Sequence, residues 1–158
     1  VENVNQLRMM WFDAPHRRLA TWRDFRKRMS TESTLDIVNN VVTWWGTAPV
    51  GPRSIDPYDV KTWPTAWELL DEGNYCRYSI GLGMAYTIFY CNENIKNNIL
   101  RLRDLENQDI YMAVLIDDKF LLNYEYGEVV DWQSVKEKFT VQQSWNCDDV
   151  VKSTKYHE

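Results

Sequence analysis

Apolar residues at three- and four-residue steps (Leu19, Trp22, Phe25 and Met29) predict a helix over residues 19–29. Residues 1–18 show no period and carry Pro15, which predicts an extended arm. Ser30 and Thr31 offer caps for a second helix to about residue 45. Leu35, Val38, Val42 and Trp45 would lie on one side, and Gly46 would end it. The pattern then stops. Residues 46–63 hold Pro49, Pro52 and Pro57 and read as a long loop, of a length that usually means function or a partner. Pro64 and the Thr65-x-x-Glu68 box then open a short helix that Gly73 closes. Asn74 is the expected cap of the next helix, which runs to about residue 91. Gly81 and Gly83 inside it each cost roughly 1 kcal/mol relative to Ala, a cost that close packing on a sheet would offset.

After residue 98 the period changes to two. Residues 99–103 alternate, and residues 110–116 and 119–124 flank Asp117-Asp118, a two-residue hairpin turn. Gly127 turns the chain before Val129 and Val130. A short helix over residues 131–139, a last strand over 140–145 and a polar tail over 146–158 complete the reading. Helices first and an antiparallel sheet afterwards define an α+β class, with one domain over residues 19–145.

Composition narrows this further. The 158 residues are 44% hydrophobic and 26% charged, the balance of a globular chain. No uninterrupted apolar run is long enough for a membrane span, and residues 1–10 lack the apolar core of a secretory leader. The three cysteines (Cys76, Cys91 and Cys147) cannot all pair and read as reduced thiols. With His16 and His157 at opposite ends and no Cys/His cluster, neither a metal nor a cofactor is expected. Charge is uneven: Arg17, Arg18, Arg23, Arg26, Lys27 and Arg28 face a single Asp24, in a chain of net charge −5. Such a patch suits an acidic partner. The eight tryptophans and nine tyrosines exceed ordinary core needs, and Trp44, Trp45 and Tyr58 join those cations as expected interface residues. Direct nucleic-acid binding is not expected, because Trp22 and Phe25 are already spent on the helix's apolar stripe.

Cys76 is the residue with the clearest chemistry. It is placed as the third residue of a helix, where the dipole and free N–H groups favour the nucleophilic form of a thiol. A helix led by Cys76, then Tyr111-Met112-Ala113-Val114-Leu115, then Phe120-Leu121-Leu122-Asn123-Tyr124, resembles the transglutaminase-like branch of the papain-type cysteine hydrolases. That resemblance covers roughly residues 73–145. It implies a Cys-bearing core helix packed on a small antiparallel sheet, with Cys76 at the nucleophile's position, Met112 where the base His should be, and Asn123 where the acidic orienter should be. A thioether cannot accept a proton at neutral pH. The resemblance therefore implies a catalytically dead scaffold, not an enzyme, with Cys76, Met112 and Asn123 as vestiges.

A second resemblance rests on Trp44-Trp45, on Ile55, Asp56, Pro57 and Tyr58, and on the stretch from Trp63 to Glu68. These segments look similar to small structural proteins of tailed bacteriophages. They imply a virion component of the neck, tail or baseplate, assembled in the host cytoplasm and bound in multiple copies to other virion proteins. The alternative is an active cysteine hydrolase or acyltransferase, with Cys76 as nucleophile and a base from His16, His157 or a partner chain.

Overall fold

In the computed structural model, which describes residues 4–52 and 54–155, the chain opens with helices α1 (Val4–Met10), α2 (Pro15–Met29) and α3 (Thr34–Gly46). After a loop with one 3-10 turn come α4 (Ala66–Glu72) and α5 (Arg77–Cys91). Strands β1 (Asn97–Asp104), β2 (Ile110–Ile116), β3 (Phe120–Leu122) and β4 (Val130–Asp131), the short α6 (Trp132–Val135), β5 (Phe139–Asn146) and α7 (Cys147–Lys155) follow. The strands form one sheet in the order β4-β3-β2-β1-β5, and all its pairings are antiparallel. This is the α+β class that the pattern predicts.

The expected extended arm is helical instead. Leu7, Met10 and Trp11 are buried, so the aromatic core supplies a face that makes α1 stable despite its short length. Pro15 opens α2 at its first position, where the missing N–H costs nothing. Residues 147–155 are likewise not a polar tail. Cys147, Val150 and Thr154 are buried at the fourth- and third-residue steps of an amphipathic helix. The cap of α3 is Ser33, whose side chain accepts the Asp36 N–H. Its inward face is Ile37, Val38, Val41, Val42, Trp44 and Trp45, while Leu35 is exposed.

Two cores flank the sheet. On one face, Ile99, Met112, Val114, Ile116 and Leu122 pack under α5 and merge with the tryptophan-rich helical layer. On the other, Leu100, Leu102, Ala113, Leu115, Leu121, Val135 and Phe139 form a smaller cluster. The alternation along β1 and β2 produces this division directly. In the helical layer Thr87 accepts the indole N–H of both Trp22 (3.0 Å) and Trp45 (2.9 Å), and donates to Gly83 O. Gly83 thus serves the helical layer rather than the sheet: a methyl group there would lie 2.5 Å from the Trp45 ring. The loop over residues 46–63 is tied to its own domain. Tyr75 N donates to Pro49 O, Gly51 N donates to Tyr75 O, and Trp63 is buried with its indole N–H on Asp56 O.

Candidate active site

Cys76 is the N-cap of α5, three positions before its third helical residue, Ser79. Its sulfur accepts the Ser79 N–H (3.4 Å) and Ser79 Oγ accepts the Cys76 N–H (2.9 Å), a reciprocal capping box. Asn74, the expected cap, lies before it. Of the three thiols, Cys76 alone is not buried. Burial pushes Cys91 from 9.0 up to about 12 and drives Cys147 higher still, so neither suits nucleophilic work.

One turn into α5, Gly81 lets the helix settle directly onto β2. A methyl group there would overlap Met112 O and lie 2.7 Å from the Asn123 amide. Asn123 takes the left-handed conformation (φ 66°) just after β3, and its Nδ2 donates to both Met112 O (2.8 Å) and Arg77 O (2.9 Å). That amide ties the head of α5, β2 and the end of β3 together. The fold therefore brings Met112 and Asn123 together beside Arg77, the residue that follows Cys76.

Met112 is 1% exposed and belongs to the core beneath α5, so the position offers no proton acceptor. His16 is exposed in the first turn of α2 and makes no hydrogen bond to Cys76, and His157 lies outside the described residues. Around Cys76 the surface is aromatic and charged, with Arg77 and Asp109 both acting on Tyr78. Arg77 stacks over Tyr111 at 4.9 Å, and Arg101 stacks over Tyr58 at 4.2 Å while donating to Pro57 O and Gln142 Oε1. Burial, and then the nearby Tyr58 and Cys76, push the Tyr78 hydroxyl above its ordinary range. The sequence alone does not mark Arg77, Tyr78, Arg101 or Arg103 as site residues. The signal for the last two was present, since Ile99, Arg101 and Arg103 alternate onto a single face of β1.

The expected interface residues separate into two groups. Trp44 and Trp45 are wholly buried, and Arg18 is 4% exposed. The Arg18 guanidinium donates to Leu70 O, Asp71 O, Trp11 O and Asp13 O, satisfying the last carbonyls of α4 and pinning the α1–α2 turn. None of the three can meet a partner. Arg26 is half-buried over the Trp22 ring at 4.1 Å. Arg17, Arg23, Lys27, Arg28 and Tyr58 remain at the surface. Among the described residues no group of three or more His, Cys, Asp or Glu could hold a metal.

No family model and no curated protein matches the chain in sequence. Solved structures do match in fold. Calcium-bound and EGTA-treated forms of Legionella pneumophila LapG, a transglutaminase-like cysteine protease, superpose with a TM-score of 0.69 at 11% identity. The match covers 92% of this chain and 84% or 83% of those chains. The fold is transglutaminase-like. The expectation that the chain is not an enzyme does not stand, because the scaffold it shares is that of a cysteine protease. None of these structures supports the virion resemblance.

Proposed function

We propose that the chain engages a polypeptide segment across the head of α5 and presents Cys76 to it as a thiol nucleophile. This is the chemistry of a cysteine hydrolase or acyltransferase. The observation that carries the reading is the placement of Cys76: the one accessible thiol, capping the core helix at Arg77, whose carbonyl Asn123 holds, on a transglutaminase-like fold. Attack of sulfur on an acyl carbon forms a thioester and expels the amine. The proton acceptor for that step is a group of the bound segment or of a partner chain, which then passes the proton to the leaving amine, since the buried thioether of Met112 can take none.

A peptidyl electrophile such as a chloromethyl ketone tests the reading. Labelling should fall on Cys76, outpace that of a free cysteine peptide, and vanish in Cys76→Ala. Met112→His should raise the rate by about 10²-fold or more, the ordinary contribution of a positioned base. Labelling no faster than that of the free peptide, with no response to Met112→His, would refute it.

A second reading, a binding role within a larger assembly, draws support from the cationic face of α2, where Arg17, Arg23 and Lys27 are exposed. Arg23→Glu with Lys27→Glu should then weaken association with the native neighbour most at low salt, where exposed charges are least screened.

A further inference from the structure

Beyond the head of α5 the sheet carries a guanidinium with no partner. Arg103 is half-buried, its Nε is enclosed, and no hydrogen bond or ion pair joins it to any described residue. An enclosed Nε without an acceptor is unfavourable, while the half-exposed side chain leaves the group within reach of an anion from outside. Its place in the fold is defined by register. Arg101 pairs with Met112 and Arg103 with Ile110, so both cations share the α5-facing side of the sheet with Met112. Ala85 O accepts from Asn97 at the Ile116 end of that face, while Gly81 lies over Met112. Following α5 back from Gly81 to Cys76 covers roughly 7.5 Å, which brings the thiol to the Ile110–Arg103 end.

We infer that Arg103, with Arg101 beside it, forms a carboxylate-binding subsite next to Cys76, so that the polypeptide recognised there carries an acidic group close to the reacting carbonyl. The inference rests on the function proposed above and names its substrate class. A planar guanidinium fork binds a carboxylate in two parallel hydrogen bonds, a geometry that a lysine cannot reproduce. Tyr58 stacks on Arg101, and Tyr78 lies within electrostatic reach of Tyr58, Cys76, Arg77 and Asp109, so one carboxylate of the chain already borders the region.

Charged methanethiosulfonates read this directly on the intact chain. Each transfers its alkylthio group to Cys76 as a disulfide and releases methanesulfinate, and the sulfonate of the anionic reagent stands in for the carboxylate. The ethylsulfonate-to-ethyltrimethylammonium rate ratio at Cys76 should exceed that of a free cysteine peptide by about tenfold, the scale of one nearby unit charge in a partly shielded site. Arg103→Gln should remove most of that excess; both reagents meet the same thiolate, so the ratio is independent of its abundance, and an unchanged far-UV circular dichroism spectrum reports an intact fold. Arg103→Lys should keep part of the excess, and Arg77→Gln should keep most. A ratio equal to the free peptide's, or an excess that follows Arg77 alone, overturns the subsite. A Cys76 that resists even neutral methyl methanethiosulfonate overturns the parent reading and the subsite with it. Protection of Cys76 by an amidated glutamate-containing pentapeptide assigns the carboxylate to a side chain. Protection by an alanine pentapeptide with a free terminus assigns it to a chain end, and protection by neither refutes the subsite.

Discussion

The two ends of α5 carry a cysteine each, and the contrast between them separates chemistry from packing. At the head, Cys76 caps the helix with its own sulfur and stands half-open among Arg77, Tyr78 and Asn123. At the foot, Cys91 is 6% exposed beneath the aromatic layer, and Asn92 N closes the last turn onto Ile88 O. Both are thiols on one helix within one domain. Exposure and the company each keeps decide which one can react, and buried cysteines elsewhere behave as small hydrophobes.

The largest difference between the two ends should appear on alkylation. Raising Cys91 from 9.0 to about 12 leaves roughly a thousandfold less thiolate than in an unperturbed thiol at pH 8, before any steric exclusion. Iodoacetamide at pH 8 followed by peptide mapping should therefore place the label on Cys76, with Cys91 and Cys147 modified only after denaturation. Comparable labelling of Cys91 in the native chain would mean that the foot of α5 opens to solvent.

The same contrast predicts a pH dependence at the foot. The Cys91 thiol stays neutral in the folded chain up to about 12 but ionises near 9 once unfolded. Its contribution is thus fully present below pH 9 and is lost as pH rises through 12, because only the unfolded state gains from ionisation in that window. Between pH 8 and 10.5 wild type should lose about 2 kcal/mol more than Cys91→Ala in denaturant titrations. Tyr75 and Tyr86 are also held above their ordinary range by burial, but they contribute to both proteins alike. Parallel pH curves would sink the argument.

At the head the corresponding constraint is steric. Gly81→Ala gains roughly 1 kcal/mol of helix propensity and meets Met112 O and the Asn123 amide, an overpacking that costs about 1–3 kcal/mol. A net loss of up to about 2 kcal/mol is expected in thermal or denaturant unfolding. A stabilised variant would show that α5 can lift from β2 without penalty.

Much of this architecture was legible in the sequence, and the failures have a common cause. The Thr65 capping box, the Gly73 stop in the left-handed region, and Asp117-Asp118 as a turn with both residues at positive φ follow from local rules. The arm and the tail carry too few apolar residues for their helices to show in the sequence. Leu7, Met10 and Trp11, or Cys147 and Val150, become a helical face only against a core assembled from distant segments. Trp44, Trp45 and Arg18 were assigned to an interface for the same reason. Sequence shows that a residue is aromatic or charged, but not that Thr87 or the carbonyls of α4 wait for it inside. Order along the chain is what singles out Cys76, Met112 and Asn123 in the sequence. Arg103 was overlooked, since its lack of a partner is a property of the folded state.

The smallest expected effect bears most directly on why a thiol occupies the head of α5. Sulfur is a weak acceptor, and the Ser79 N–H reaches it at 3.4 Å. A serine hydroxyl is among the preferred N-cap groups and accepts the same N–H more strongly, with Ser79 still able to answer the backbone N–H at the cap. Cys76→Ser should therefore stabilise the protein by about 0.5 kcal/mol, seen as a modest rise in the denaturation midpoint, while abolishing labelling by the peptidyl electrophile. Cys76→Ala, which loses the cap altogether, should fall below wild type by about 0.5–1 kcal/mol. Gained stability with lost reactivity is the trade expected where a residue is kept for chemistry against its local structural preference. If Cys76→Ser were instead destabilising by more than Cys76→Ala, the sulfur would be a packing group, and the contrast between the two ends of α5 would reduce to exposure alone.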